Sequence, residues 1–192
     1  FKDRPKQYWE YLSALGFNST VGLDAYEEES GYIPEPLGAE WKKIHGSIGK
    51  SLPYLGYGYI AEVPPIHTLT FYNGVANRGR MMAPRLVDRV ERDGEVIIEE
   101  PVRVLNEKMC SDATIEVLYE CLAAAADPKR TKRCFEHLPF NIGCKTGTAE
   151  IQGEFHSKAI KDRRVFDAGM DRDDGYNLGS VVCMMPLERP KY

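Results

Sequence analysis

An ammonium group, two hydroxyls and a glycine alternate along the segment Lys145-Thr146-Gly147-Thr148. In an extended strand this alternation places Lys145 and Gly147 on one face and the two threonines on the other. Such a strand offers a positive charge, hydroxyl donors and, at the glycine, an unshielded backbone that a ligand can approach closely. The pattern suits a ligand that carries a carboxylate, although four such residues alone are more often a polar strand end without a role.

Ser47 and Lys50 have the spacing of a nucleophile and its base. On a firm helix, the lysine amine could take the hydroxyl proton of a serine three residues earlier. Gly49 lies inside this motif and Pro53 follows it, and both residues disfavour a helix. We therefore predict that no stable helix forms here and that the pair is a chance match rather than a catalytic site.

The cysteines and histidines show no spacing typical of a metal site. They form no CxxC or HExxH pattern, so a structural zinc site is not expected, and no cofactor is predicted. An odd number of cysteines leaves at least one thiol unpaired within the chain, and most are expected to act as small buried hydrophobic residues. The residues are Cys110, Cys121, Cys134, Cys144 and Cys183, with His45, His67, His137 and His156.

Length and composition predict an ordinary globular fold. The 192 residues are 43% hydrophobic and 28% charged, with a net charge of −4. The negative charge argues against nucleic-acid binding, no apolar run approaches the roughly 18 residues of a membrane helix, and no signal peptide is visible. The chain opens at Phe1 in a charged stretch and stops at Tyr192 just after an apolar run. We therefore expect residues 1–192 to be a single partial domain of a longer protein.

Periodicity predicts helices over 5–15, 65–77 and 111–126. The first begins with a proline and ends before Gly16, and the last is capped by Ser111. Residues 16–56 carry many turn-forming residues and are expected to be mostly irregular. The expected apolar faces are Ile66, Leu69, Tyr72 and Ala76 in the helix 65–77, and Ile115, Leu118, Leu122 and Ala126 in the helix 111–126.

Alternating residues on both sides of Asp93-Gly94 predict a β-hairpin. Two apolar segments, 141–151 and 178–187, are predicted to pair as antiparallel strands. The connection 153–178 is charged and poor in apolar area, so we expect it to be mobile unless a neighbouring molecule orders it. Helices and strands in separate blocks predict an α+β fold, an antiparallel sheet with flanking helices.

Lys-Thr-Gly is one of three signature motifs of the serine penicillin-binding proteins and β-lactamases, together with Ser-x-x-Lys and Ser-x-Asn. Other segments resemble those of class B penicillin-binding proteins, in the same order along the chain. The chain therefore looks like the C-terminal portion of a division-type class B transpeptidase domain, incomplete at both ends. The matching segments are Leu15 to Phe17, Thr20 to Asp24, Gly31 to Pro34, Gly56 to Tyr59, Val63 to Leu69, Phe71 to Gly79, Met82 to Val87 and Val182 to Pro190.

The resemblance implies a peptidoglycan D,D-transpeptidase that cross-links stem peptides through a serine acyl-enzyme and binds β-lactams. Lys145 would supply positive charge beside the nucleophile and assist proton transfer, and the backbone N–H of Thr148 would be an oxyanion-hole donor. The hydroxyls of Thr146 and Thr148 would bind the terminal carboxylate of the ligand. Gly147 would let the acyl donor lie against the strand.

Two of the three family motifs are missing from the chain. Ser47 stands after the segments that a nucleophile motif should precede, and Ser111-Asp112-Ala113 lacks the amide of Ser-x-Asn and is better explained as a helix cap. The nucleophilic serine is expected upstream of Phe1, so the chain alone should be inactive. Cys144 stands where the family commonly has glycine, and a buried side chain there must be accommodated behind the strand.

The resemblance also implies partners and a location. The substrate would be the D-Ala-D-Ala end of a peptidoglycan stem peptide, and the longer protein would contact divisome or elongasome proteins. The chain would be a periplasmic or other extracytoplasmic domain of an inner-membrane-anchored protein. Three further possibilities stay open: a β-lactam sensor or non-catalytic scaffold on the same fold, an interaction module without ligand chemistry, and a hydrolytic β-lactamase.

Overall fold

The computed structural model describes residues 3–23, 27–129, 135–150 and 177–190, which form helices flanking short antiparallel sheets. The strands pair as β1 with β4, β2 with β3 and β5 with β6. This is the predicted α+β arrangement. The elements are α1 Pro5–Ala14, α2 Ala39–Ile44, α3 Ile48–Gly56, α4 Pro65–Ala76, β1 Met81–Met82, β2 Arg89–Arg92, β3 Glu95–Glu99, β4 Val104–Asn106, α5 Asp112–Ala125, β5 Gly143–Glu150 and β6 Asn177–Met184.

Helix α1 confirms its prediction. Pro5 is the first helical residue, where its missing N–H costs no hydrogen bond. Gly16 follows the helix with a φ of +87°, a conformation that glycine adopts without strain. The Trp9 indole N–H donates to the Ile33 carbonyl at 2.8 Å, which fixes α1 to the chain that follows it.

The expectation of mostly irregular chain over 16–56 is confirmed for the described residues before α2, but the expectation that no helix forms at Ser47–Lys50 is wrong. Helix α3 forms there with Gly49 and Pro53 inside it. Leu52 and Leu55 of α3 are buried in a cluster with Trp41. Trp41 belongs to α2, which also lies within this segment. Burying two leucines contributes about 3–6 kcal/mol, which offsets the roughly 3 kcal/mol cost of a proline inside a helix. Tertiary packing thus overrides local propensity.

Helix α4 has nearly the predicted bounds, and its predicted face is confirmed in part: Ala76 is buried and Ile66 and Tyr72 are partly buried. Leu69 is 56% exposed, whereas His67 and Thr70 are buried. Both buried polar side chains form hydrogen bonds: Thr70 Oγ1 donates to the Ile66 carbonyl at 2.7 Å, and His67 Nε2 lies 2.6 Å from the Ser19 carbonyl oxygen. The other ring nitrogen of His67, Nδ1, is buried without a hydrogen-bond partner among the described residues. Apolar periodicity does not register buried polar residues, so it places Leu69 rather than His67 and Thr70 on the buried face.

Gly74 explains why this face of α4 is the buried one. A Cβ added there would lie 2.9 Å from Met109 Sδ and 3.2 Å from Met81 Cβ. The glycine therefore lets α4 approach β1 and the chain after β4 closely. The buried core next to this contact contains Val75, Ala76, Ile115, Tyr119, Leu122 and Met184.

Helix α5 and the β2–β3 hairpin confirm their predictions. Ser111 Oγ accepts the Thr114 N–H at 3.2 Å, as an N-cap should. The predicted face of α5 is buried or partly buried, and Tyr119 joins it through a hydrogen bond from its hydroxyl to the Ala76 carbonyl. In the hairpin turn, Asp93 and Gly94 both have positive φ, the conformation of a type I′ turn.

The predicted antiparallel pairing near the end of the chain is confirmed as β5 with β6. The register runs from Gly143 opposite Met184 to Glu150 opposite Asn177. The predicted mobile connection 153–178 lies outside the described residues, except for Asn177 and Leu178, which belong to β6. Among the helices that the structure describes, none combines the length and apolarity of a membrane span.

Candidate active site

Strand β5 is fixed at its first residues by close packing against α5. A Cβ added at Gly143 would lie 2.7 Å from Leu187 Cδ1 and 3.1 Å from Leu122 Cβ, so only glycine fits without displacement. Ile142 and Cys144 are buried beside it together with Ala126. The start of the strand is therefore held rigidly, and the residues after it are positioned by that anchor.

Lys145 is the first exposed residue after this buried start. Its ammonium group donates a hydrogen bond to the Thr146 carbonyl. Among the described residues it forms no ion pair with a carboxylate. The charge of Lys145 is therefore available to an anionic ligand, and the lysine is neither buried nor helical, as the sequence analysis requires.

The two threonines of the candidate motif are exposed on the other face of β5. Thr146 lies opposite Val181 and Thr148 lies opposite Gly179. Side chains directly opposite in an antiparallel pair share a face. A Cβ added at Gly179 would meet no atom within 4 Å, so the space beside Thr148 is open. Gly179 is a site residue that the sequence analysis did not single out, and only the strand register identifies it.

Gly147 has a structural role that the sequence analysis did not anticipate. It lies opposite Ser180, and a Cβ added to Gly147 would be 2.6 Å from Ser180 Oγ. A larger residue would force that hydroxyl to move and would cover the backbone of the strand. Glycine at position 147 therefore leaves room for the Ser180 hydroxyl beside the strand.

Cys144 is accommodated behind the strand, as expected for a side chain larger than the usual glycine. It is only 3% exposed and packs with Ala126, Ile142 and the partly buried Cys183. Burial and the neighbouring Cys183 raise the pKa of the Cys144 thiol above its ordinary value, with an opposing contribution from Lys145. The thiol is therefore protonated near neutral pH, as suits its apolar surroundings.

Ser47 and Ser111 both lie at the N-terminal ends of helices. Ser47 precedes α3, and its carbonyl accepts hydrogen bonds from the N–H and the hydroxyl of Ser51. Helix α3 packs into the Trp41 cluster, whereas β5 packs on α5. Ser111 caps α5, as predicted. Among the described residues, neither Ser47 nor Ser111 forms a hydrogen bond with Lys145.

A cavity of about 290 Å³ lies between α4 and β6. Leu69, the residue found unexpectedly exposed, lines it together with Tyr72, Val182 and Cys183. No three side chains with metal-binding groups are clustered within the described part of the chain. The chemistry available on β5 is accordingly that of an ammonium, two hydroxyls and backbone amides.

The chain matches one protein-family model over residues 3–189, that of the penicillin-binding-protein transpeptidase domain. No curated protein matches it. The match extends over all the segments that resemble this family, apart from Pro190 at the end of the last one.

Several solved structures with the same fold are penicillin-binding proteins. Penicillin-binding protein 2B from Streptococcus pneumoniae strain R6 has a TM-score of 0.67 and 18% identity, over 99% of this chain and 28% of the other. Penicillin-binding protein 2X from Streptococcus thermophilus has a TM-score of 0.66 and 20% identity, over 97% and 25%. Penicillin-binding protein 3 from Mycobacterium tuberculosis, solved with ampicillin, has a TM-score of 0.63 and 19% identity, over 97% and 38%.

Proposed function

The chain belongs to the penicillin-binding-protein transpeptidase domain family, and from this premise we propose that it forms part of a peptidoglycan D,D-transpeptidase. The reaction would acylate a serine with the D-Ala-D-Ala end of a stem peptide and transfer the acyl group to an amine of a neighbouring stem. The chain spans between a quarter and two fifths of the structures described above. The activity is therefore proposed for the longer protein that contains this chain, and not for residues 1–192 alone.

The observation that carries the proposal is the exposed ammonium of Lys145 on a strand anchored by Gly143. In the proposed reaction Lys145 holds the local field positive and assists proton transfer at the serine. A positive charge in this position favours both the oxyanion of the tetrahedral intermediate and the carboxylate of the donor. The lack of an ion pair within the described chain leaves the charge uncompensated for this purpose.

The threonines and the glycine between them would bind the acyl donor. The hydroxyls of Thr146 and Thr148 would donate to its terminal carboxylate, and the Thr148 backbone N–H would be one donor of the oxyanion hole. Gly147 would allow the donor to lie along β5. The open space beside Thr148, opposite Gly179, supports this placement because nothing on the partner strand shields the hydroxyl.

We further propose that the protein binds β-lactams, whose carboxylate and reactive amide resemble the donor peptide. One similar structure was solved with ampicillin, and another, penicillin-binding protein 2 from Helicobacter pylori, in complex with MreC. By analogy, the protein that carries this chain would contact other proteins of cell division or elongation. Its transpeptidase domain would lie outside the cytoplasm, with the anchor in another part of the protein.

The nucleophile is the decisive missing element, and peptide mapping tests where it lies. The protein is acylated with a penicillin, digested and analysed by mass spectrometry. We expect the adduct on a serine outside residues 1–192, with unchanged labelling of the Ser47→Ala variant. An adduct on Ser47 would overturn the interpretation of Ser47–Lys50 as a chance match. No adduct at any serine would favour a non-catalytic scaffold.

A further inference from the structure

Two free thiols face each other across the sheet that carries Lys145. Cys144 of β5 lies directly opposite Cys183 of β6, and both are reduced. Directly opposed residues of an antiparallel pair project their side chains from the same face. Both side chains pack against the same small cluster, which contains Ala126 and Ile142. The register thus brings together two cysteines that are distant in the sequence.

We propose that Cys144 and Cys183 are a redox modification site, at which a disulfide donor converts the two thiols into a cross-strand disulfide. Opposed residues of antiparallel strands have Cα atoms about 4.5–5.5 Å apart, within the roughly 4.4–6.8 Å that disulfides span. The Cβ atoms of opposed residues are about 4.5–5.5 Å apart, which is slightly more than the ~3.8 Å mean of disulfides. A small approach of the strands is needed, so the bond should be reducible rather than permanent.

The difference in burial of the two thiols sets the order of the exchange. Cys183 is partly buried and lines the cavity between α4 and β6, whereas Cys144 is 3% exposed. The donor therefore reaches Cys183 first. The Cys183 thiolate attacks one donor sulfur, a mixed disulfide forms, and the other donor sulfur leaves as a thiol. The Cys144 thiolate then attacks the Cys183 sulfur and releases the second donor thiol.

The exchange balances without any further reactant. Two cysteine thiols lose two protons and two electrons, and the donor disulfide takes up both and becomes two thiols. Burial raises the pKa of both cysteines, and Cys183 adds to the effect at Cys144. Because the thiolate is the attacking species, the exchange should accelerate as the pH rises. The bond would join β6 to β5 at the residue immediately before Lys145.

Thiol mapping after treatment with oxidised glutathione tests the proposal, at about pH 8.5, where a free cysteine is half ionised. The native protein is quenched with N-ethylmaleimide in denaturant and digested with chymotrypsin. Cleavage after Phe140 separates Cys144 from Cys134. We expect a linked Cys144–Cys183 peptide pair that separates on reduction, and a slower reaction near neutral pH. This readout is independent of the proposed transpeptidase activity.

Matched variants distinguish the pair from the other cysteines. Cys121 is exposed and free, so Cys121→Ala should leave the linked pair unchanged. Cys183→Ala should abolish it and leave Cys144 modified by N-ethylmaleimide. The proposal is overturned if, in the protein without substitutions, Cys144 and Cys183 are both found modified by N-ethylmaleimide while Cys121 has acquired glutathione. It is equally overturned if glutathione stays on Cys183 beside a free Cys144, or if either cysteine pairs with Cys134.

Discussion

Lys145 combines two properties that lysines rarely have together, a fixed backbone and an uncompensated charge. The backbone is fixed by the buried Ile142, Gly143 and Cys144 immediately before it. The ammonium group is exposed and bonded only to a neighbouring carbonyl among the described residues. At the scale of single residues, the proposed site is therefore one strand whose first residues are buried and fixed and whose following residues, from Lys145 onward, are mostly polar and exposed.

The hydroxyls of Thr146 and Thr148 are predicted to bind a carboxylate. Hydrogen bonds to charged groups contribute about 1.5–3 kcal/mol, so Thr148→Val should slow acylation by a penicillin roughly tenfold or more. The backbone N–H of residue 148 is kept in this variant, so some acylation should remain. Thr68→Val, at an exposed threonine of α4, is the matched control and should react as the unmodified protein does. Equal rates for both variants would exclude a binding role for the Thr148 hydroxyl.

Gly143 is predicted to be essential for stability because α5 leaves no room for a side chain. Gly143→Ala should lower the free energy of unfolding by about 1–3 kcal/mol, the usual cost of overpacking. The control is Gly179→Ala on the neighbouring strand, where an added Cβ meets no atom. Chemical denaturation of both variants measures the difference, and a Gly143→Ala protein as stable as the control would refute the close contact with Leu122.

At the scale of elements, α3 shows how packing decides a segment with poor helix propensity. Its apolar residues are buried with Trp41, and Pro53 is exposed. Gly49 contributes nothing to that packing, since a Cβ added there meets no atom within 4 Å. The packing of its buried face therefore stabilises α3, whereas Gly49 lowers its helix propensity.

Gly49→Ala should consequently raise the free energy of unfolding by about 0.4–1 kcal/mol, because alanine restricts the unfolded chain and favours the helix. Leu52→Ala should lower it by about 2–5 kcal/mol through loss of a buried side chain. Thermal melting of the two variants gives opposite shifts in Tm if α3 is a helix. A Gly49→Ala variant with a lower Tm would contradict the helix.

Helices and strands with strong local signals were predictable from the sequence, and those that depend on distant contacts were not. Pro5 and Asp93-Gly94 act through their own backbones, and Ser111 acts through a hydroxyl that accepts an N–H three residues later, so α1, the hairpin and α5 follow from local sequence. The buried face of α4 depends on the close approach at Gly74 and on the hydrogen bond of His67 to Ser19. Neither contact leaves a periodic pattern in the sequence.

The same distinction applies to the candidate site. Lys145 to Thr148 could be proposed because their residue types combine with flanking segments that resemble class B penicillin-binding proteins. Gly179 and Ser180 were not, because their relation to the site comes only from the register of β6 against β5. Likewise, the cysteine pair could not be predicted, since Cys144 and Cys183 meet only when that register is known.

At the scale of the whole molecule, the chain provides one wall of the proposed active site. The family match extends over residues 3–189, while the similar structures are considerably longer than the chain. Strand β5 carries Lys145 and the threonines, while α5 packs against β5 and α4 packs against β6. We propose that the serine that completes the reaction comes from another part of the protein.

The central claim is that Lys145 is essential for acylation, and the rate of labelling by a fluorescent penicillin tests it most directly. The second-order rate constant is compared for the unmodified protein, Lys145→Ala and the control Lys43→Ala, an exposed lysine of α2. Loss of a group that assists proton transfer typically costs about a hundredfold or more. We therefore expect a loss of that size for Lys145→Ala, with Lys43→Ala unchanged and both variants folded by circular dichroism. A Lys145→Ala protein that is labelled as fast as the control would contradict the account.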